Sequence, residues 1–404
     1  MTAQDHQAAD FKSGEFKAPE SVARLQRGAL IAGGIALLLA IFAAIKSPQI
    51  FYPSYLMGYL LILGLTLGSL GLLMLQHLTG GQWGIIIRRP LESATRTLPL
   101  LAVLFLPIVF GMKYLYGAWL DPERVHEEPL SAMQQGYLTQ HGFYIRAIIY
   151  FVVWIGLMLI FNSWSRQQDV DQGNRALRRR FKMLAGPGII LYVFVMTFAA
   201  IDWVMSITPH WASTIYGFLF VAGQLISSMS LMIAVVVLLS RTAPMAGLIQ
   251  KRHIHNLGKF LLAFVMLWAY FDFSQLLIIW SGNQPEEITF YRARLYGGWG
   301  TVAVIVLIFH FFVPFFLLLS RSLKLNTRLL SKVAIYMIFM RLVDLFWMTR
   351  PEFTRHAFPS WIDLVVPVAL IGLWLGFFAF NLQAMPLLPL GDPRLAEAIA
   401  QHEH

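Results

Sequence analysis

Apolar residues occur along the chain in long runs, and short polar connections separate one run from the next. A run of about 20 apolar residues can cross the hydrocarbon core of a bilayer as one helix. Windows of about 19 residues predict ten such helices. They cover residues 28–45, 55–76, 98–117, 143–162, 184–205, 213–240, 257–280, 298–320, 330–349 and 361–385. The pattern predicts an all-α fold, a polytopic membrane protein with about ten transmembrane helices.

The second and sixth predicted helices also carry repeated small residues, from Gly58 and from Gly217 onward. Small residues allow two helix backbones to approach closely inside a membrane. The likeness between the two helices hints at two related bundles.

The composition excludes a soluble enzyme, because only 13% of the residues are charged and 57% are apolar. Soluble domains carry about 25% charged residues. The chain has no cysteine, which excludes disulfides, Fe–S ligation, thiolate zinc sites and covalent c-type haem. His310 is the one histidine well inside a predicted span, so ligation of haem by two histidines is not expected either. We expect the chain to hold no haem, Fe–S cluster or metal ion.

Basic residues mark one side of the predicted membrane. Of 31 Lys and Arg residues, 21 lie in the terminal segments, in the even-numbered connections or, for Lys332, in the first turn of the helix that follows one of them, and six lie in the odd-numbered connections. The positive-inside rule then places both termini and the even connections in the cytoplasm. The net charge of +10 is thus a topological signal, and we expect no nucleic-acid partner.

The predicted organisation has three parts. Residues 1–27 form a cytoplasmic N-terminal tail, residues 28–385 a ten-helix transmembrane domain, and residues 386–404 a cytoplasmic C-terminal tail. The N-terminal segment lacks the apolar core and the cleavage site of a secretory signal, so we expect the first helix to remain as an anchor.

Five ionisable residues within the predicted spans are proton-relay candidates, because a charge at membrane depth is costly and is functional by default. They are Asp202, Asp272, His310, Arg341 and Asp344. The last two are three residues apart and lie on one helix face. A self-neutralising pair that only fixes packing explains Arg341 and Asp344 equally well. Capping or loop anchoring explains Asp202 equally well.

Four stretches resemble one known family. They are IDWVMSITPHW with the following STIYG (residues 201–217), HNLGKFLLAFVMLWAYFDFSQLLIIWSGNQPEE (255–287), YGGWG (296–300) and HFFVPFFLLLSRSLK (310–324). Together they resemble the NrfD/polysulfide-reductase membrane-anchor family, in the form of the smaller quinone-binding-type membrane subunit of bacterial Alternative Complex III. The family's Asn-Leu-Pro reads Asn283-Gln284-Pro285 here. Asp202, Asp272 and His310 fall within these strings, whereas Arg341 and Asp344 are candidates on physical grounds alone.

The resemblance implies a subunit of a quinol:cytochrome c oxidoreductase in the bacterial inner membrane, with no independent catalytic activity. It implies two four-helix bundles, helices 2–5 (about 55–205) and 6–9 (about 213–349), with two flanking helices, and a proton path. The implied partners are a larger NrfD-like sister subunit, an external Fe–S/molybdopterin-like subunit, c-type haem subunits, other small membrane subunits and membrane lipids.

A quinone, menaquinone or ubiquinone, is the cofactor that such a complex uses. Its headgroup needs a hydrogen-bond donor and a proton acceptor near the membrane surface. His141, Tyr144 and Asp202 are the quinone-binding candidates, provided that the fourth and fifth helices pack together. Two other interpretations stay open: a proton-coupled secondary transporter with a site at mid-membrane, and a scaffold whose buried charges only set packing.

Overall fold

A computed structural model describes residues 16–171 and 174–395. It is 81% helical, and those residues contain no strand. Its ten long helices are α1 (Glu20–Lys46), α2 (Pro48–Thr79), α3 (Trp83–Phe110), α4 (Gln140–Val170), α5 (Arg175–Trp203), α6 (Tyr216–Leu239), α7 (Lys251–Gly282), α8 (Trp299–Leu319), α9 (Thr327–Thr349) and α10 (Ile362–Gln383). In the described part of the chain, all of them except α9 are long and apolar enough to cross a membrane. The all-α, multi-pass class is confirmed.

Shorter helices lie in the connections. They are Met112–Leu115, Gly117–Leu120, Pro122–Glu127, Ala132–Tyr137, the 3-10 turn Met205–Ile207, Pro285–Leu295 and Arg321–Leu325. The helix Ala132–Tyr137 begins at a capping box, in which Ser131 and Gln134 satisfy each other's backbone N–H groups. α7 ends at Gly282, and the left-handed conformation of the next residue, Asn283, terminates the helix.

The centre of the molecule is formed by α2 and α6, which pack against each other. α2 also contacts α3, α5, α9 and α10, and it is buried along its membrane-crossing length. Consecutive helices are in contact from α2 to α5, called the first bundle below, and again from α6 to α9, called the second bundle. α1 packs chiefly on α10, where Gly33 lies directly against Gly372.

The two ends of the bundle differ in charge. The connections after α2, α4, α6 and α8 meet at one end, called the basic end below, where Trp83 packs on Phe260 with ring centroids 4.4 Å apart. The connections after α3, α5, α7 and α9 meet at the opposite end, where the Ser54 hydroxyl donates to Asp363 over 2.6 Å.

Two predicted boundaries differ from the structure at the basic end. α3 begins at Trp83, about four turns before the predicted residue 98. The prediction placed the start too late because Arg88 and Arg89 lower the hydropathy of the first turns, although both are buried in the structure. Much of the predicted C-terminal tail is also packed: Leu387, Leu388 and Leu395 are buried. The tail residues 396–404 and residues 1–15 of the N-terminal tail lie outside the described part of the chain.

The crossing of α2 and α6 depends on Gly68. A Cβ atom at Gly68 would lie 2.1 Å from the backbone oxygen of Gln224, whereas at Gly64, about one turn away, its nearest neighbour would be a flexible side-chain carbon at 3.5 Å. We expect Gly68→Ala to lower the free energy of unfolding by about 1–3 kcal/mol, as overpacked cores do. Gly64→Ala is the matched control and should be near neutral. Thermal unfolding in detergent measures both, and equal losses in the two variants would contradict this packing.

Candidate functional site

Four of the five proton-relay candidates lie together inside the second bundle. Arg341 and Asp344 belong to α9, Asp272 to α7 and His310 to α8. The segment of α8 that carries His310, Val306–Phe312, contacts both α7 and α9, and α7 also contacts α9. Three neighbouring helices therefore carry these four residues, called the α7–α9 cluster below.

The centre of this cluster is an ion pair. Nη1 of Arg341 donates to Oδ2 of Asp344, and both side chains are at most 3% exposed. The guanidinium also lies over the ring of Phe220, 5.7 Å from its centroid. α6 makes room for it with Gly223, where a Cβ would come within 2.2 Å of the guanidinium carbon. Because both charges are removed from water, their mutual attraction at short distance must offset the cost of desolvation.

His310 lies beside the ion pair in a π-helical segment of α8, Val306–Phe312. The side chain is fully buried, and the indole ring of Trp268 packs edge-on against it with centroids 4.5 Å apart. Neither ring nitrogen has a hydrogen-bond partner within the described residues. Buried polar groups are nearly always paired, and π-helical turns occur frequently at functional sites. His310 therefore combines complete burial with two ring nitrogens that the described residues leave without a hydrogen bond.

Asp272 is only half-buried and accepts no hydrogen bond from the described residues. Its carboxylate lines a cavity between α7 and α8 that opens toward the opposite end. Asp272 is thus the member of the α7–α9 cluster that borders accessible space.

The fifth candidate, Asp202, lies in the first bundle with partners that the sequence did not indicate. Nε of Arg146 donates to its Oδ2 over 2.8 Å, and the hydroxyl of Tyr150 donates to the same oxygen over 2.6 Å. Arg146 also lies over the ring of Tyr137 at 3.9 Å. Burial, and then the negative charge of Asp202, raises the pKa of Tyr137 to about 12. The phenol of Tyr137 stays protonated at neutral pH.

The structure does not join the three quinone-binding candidates by polar contacts. His141 is exposed, and the hydroxyl of Tyr144 accepts a hydrogen bond from Gln140 over 2.7 Å. Asp202 is 1% exposed and is held by α4 through Arg146 and Tyr150 instead. α4 and α5 do pack together as expected, but a quinone site at His141, Tyr144 and Asp202 stays a prediction.

A second buried charge network lies at the basic end, where the sequence suggested only topological charges. Glu92 accepts from Nε of Arg88 over 3.0 Å, from Nη1 of Arg89 over 2.7 Å and from the hydroxyl of Ser165 over 2.6 Å. Nη1 of Arg88 also reaches Asp392 over 2.9 Å. In the sequence, Glu92 follows Arg88 by four residues and Arg89 by three, a spacing that brings side chains together on a helix and that indicated these ion pairs.

The C-terminal segment completes this network through Asp392. Burial acts to raise the pKa of Asp392, but hydrogen bonds from Arg394 and the charge of Arg88 outweigh it and hold the pKa below its ordinary value. Asp392 is therefore ionised at neutral pH and fixes the segment to α3.

Comparison with known proteins does not assign a function. No protein-family model matches the chain, and no curated protein matches it. Within the described residues, no group of three or more histidine or acidic side chains could hold a metal ion.

Proposed function

We propose that this chain is an integral membrane subunit of a quinol-oxidising electron-transfer complex, a quinol:cytochrome c oxidoreductase of the Alternative Complex III kind. In this role the α7–α9 cluster contributes a proton path, and the chain has no catalytic activity of its own. The family-like strings of the sequence and the ten-helix fold support the proposal. The basic end faces the cytoplasm of the bacterial inner membrane, as the distribution of Lys and Arg favours.

The observation that carries the proton path is His310 beside the Arg341–Asp344 pair. Histidine is the side chain whose unperturbed charge change lies near neutral pH. Because neither ring nitrogen of His310 is engaged by the described residues, it can accept and release a proton without first breaking a hydrogen bond. In the proposed path, Asp272 exchanges protons with the cavity that it lines.

The partners in this proposal are those of the family. A larger NrfD-like sister subunit, an external Fe–S/molybdopterin-like subunit and c-type haem subunits would carry the electrons, and small membrane subunits and lipids would surround the chain. A menaquinone or ubiquinone pool would supply the reductant. The lack of cysteine in the sequence supports this division of labour, because the chain offers no thiolate ligand for an Fe–S cluster.

Purification in a mild detergent tests the proposal. We expect the tagged chain to bring down c-type haem, visible in the reduced absorption spectrum, and Fe–S protein, visible by electron paramagnetic resonance. Quinol-dependent reduction of cytochrome c should accompany these partners. A chain that purifies alone and exchanges a solute for protons in vesicles would instead be a transporter, and the proposal would fall.

A further inference from the structure

The basic end of the second bundle carries positive charge with no acidic residue in its own sequence. It is formed by the connections after α6 and α8 and by the helix ends beside them, which fall within residues 203–271 and 288–343. Neither stretch contains an Asp or a Glu. At the basic end of the first bundle, by contrast, Glu92 accepts hydrogen bonds from both Arg88 and Arg89. The second bundle therefore keeps an excess of positive charge at this end.

The side chain of Lys324 is fixed against α7. Lys324 belongs to the short helix Arg321–Leu325, which packs on α7, and it is only 7% exposed. A Cβ atom at Gly258 of α7 would lie 3.0 Å from Cγ of Lys324 and 3.3 Å from its Cδ. Lysine commonly buries its aliphatic stem in this way while its ammonium group stays near the polar surface. The stem thus holds the ammonium group of Lys324 beside α7.

Two further cations lie next to Lys324. Lys259 follows Gly258 directly on α7, and Arg321 precedes Lys324 by three residues, on the same face of the short helix. Burial, and then the positive charge of Lys259, lowers the pKa of Lys324. In the described part of the chain, none of these three side chains forms an ion pair or a hydrogen bond. Like charges disfavour one another's ionised forms, so an anion between them would be stabilising.

Apolar side chains face the bilayer next to these cations. On α8, Phe312, Phe316 and Leu319 are exposed and follow a spacing that places them on one helix face. On α7, Ala263 and Met266 are exposed about one and two turns from the cationic position, toward the middle of the membrane. α7 and α8 are in contact here. A ligand at the cations can therefore extend an apolar chain along both helices.

This combination selects the chemistry of the ligand. Ammonium and guanidinium groups bind phosphate oxygens, and a basic pocket between transmembrane helices on the cytoplasmic side is typical of sites for anionic lipid headgroups. A soluble phosphate compound would make no use of the apolar side chains on the membrane side. A zwitterionic lipid would bring its own cation to a place that already has three. The ligand that fits both parts is a phospholipid with a net negative headgroup.

We propose that Lys259, Arg321 and Lys324 bind the phosphate of an anionic phospholipid, whose acyl chains lie along α7 and α8. The bound headgroup supplies the counter-charge that the sequence of the second bundle lacks at this end, and it links the short helix to α7. The site does not depend on the electron-transfer role, because it involves neither a quinol nor a partner subunit. A chain that proved to be a transporter would keep this lipid.

A matched pair of double variants separates this site from general attraction to a charged membrane. Lys259→Gln/Arg321→Gln removes two exposed cations of the proposed site. Arg178→Gln/Arg179→Gln removes two exposed cations at the start of α5, which also lies at the basic end. Both variants lose the same charge. Lys324→Met removes one ammonium group and keeps the apolar stem that packs on Gly258.

The test is native mass spectrometry of the delipidated full chain in detergent, with whatever partners accompany it, titrated with phosphatidylglycerol. A basic residue near an anionic lipid contributes about a fivefold gain in binding. We expect the affinity for the first lipid to fall roughly twentyfold in Lys259→Gln/Arg321→Gln and roughly fivefold in Lys324→Met. The α5 variant should bind like the parent, and phosphatidylcholine should bind at least about tenfold more weakly. Thermal unfolding confirms that each variant is folded.

Four results would overturn the inference. Equal binding of phosphatidylglycerol and phosphatidylcholine would show that the headgroup charge is not recognised. An equal loss in the α5 variant would reduce the effect to general membrane attraction. Displacement of the lipid by equimolar glycerol 1-phosphate would identify a site for soluble phosphate compounds. Displacement by an equimolar oligoglutamate peptide would identify a docking surface for an acidic protein.

Discussion

Replacing Arg341 with methionine is expected to lower the free energy of unfolding by about 3–5 kcal/mol, the cost of leaving a buried charge without its partner. Asp344 is at most 2% exposed, and the described residues supply no other cation in hydrogen-bond contact with it. The double variant Arg341→Met/Asp344→Leu should recover most of this loss, because apolar residues of similar volume replace the pair without an orphaned charge. Thermal unfolding in detergent measures both effects.

The double variant also decides between the two interpretations of the pair. If Arg341 and Asp344 belong to a proton path, the stable double variant should still oxidise quinol. It should release only the protons that quinol oxidation itself produces. A pair that serves packing alone predicts full proton release once stability is restored. Arg124→Gln is the control for the unfolding assay, because Arg124 and Asp121 form an exposed pair with 67% and 46% exposed side chains. Such pairs contribute about 0–1 kcal/mol.

Replacing Glu92 with alanine should produce a comparably large loss of stability. Glu92 is fully buried and is the shared acceptor of Arg88, Arg89 and Ser165. Without Glu92, the buried guanidinium groups of Arg88 and Arg89 would lose the carboxylate that they share, at a cost of about 3–5 kcal/mol. The circular dichroism signal of the helices, followed on heating, reports this loss.

The position of the C-terminal segment gives a second measurement on the same variant. Arg88 links Glu92 to Asp392, so we expect protease cleavage near Gly391 to accelerate in Glu92→Ala. Asp121→Asn, at the exposed pair, should change neither the unfolding temperature nor the cleavage rate. Unchanged unfolding of Glu92→Ala would mean that the network at the basic end does not stabilise the fold.

The sequence predicts the number and order of the helices well, because an apolar run of about 20 residues is long enough to cross a membrane as a helix and rarely forms another structure. It misplaces the start of α3, since a hydropathy window penalises Arg88 and Arg89. Their burial depends on Ser165 and Asp392, which are about 76 and 304 residues away along the chain. Local pattern carries no information on such partners.

The sequence predicted which residues belong to the candidate site better than it predicted how they are arranged in space. The three-residue spacing of Arg341 and Asp344 already placed them on one face of α9. The meeting of Asp272, His310 and that pair depends on how α7, α8 and α9 pack, and the π-helical turn around His310 follows from no local pattern in the sequence. Arg146, which lies within a predicted span, was the overlooked signal for the partner of Asp202.

The proton path through the second bundle is tested most directly by His310→Gln in the assembled complex, reconstituted into vesicles. Glutamine keeps a polar side chain of similar size but has no titratable group. We expect quinol oxidation to continue while proton release per electron falls to the value set by quinol oxidation alone. Proton release per electron equal to that of the parent, in a normally assembled His310→Gln complex, would contradict the role of the α7–α9 cluster.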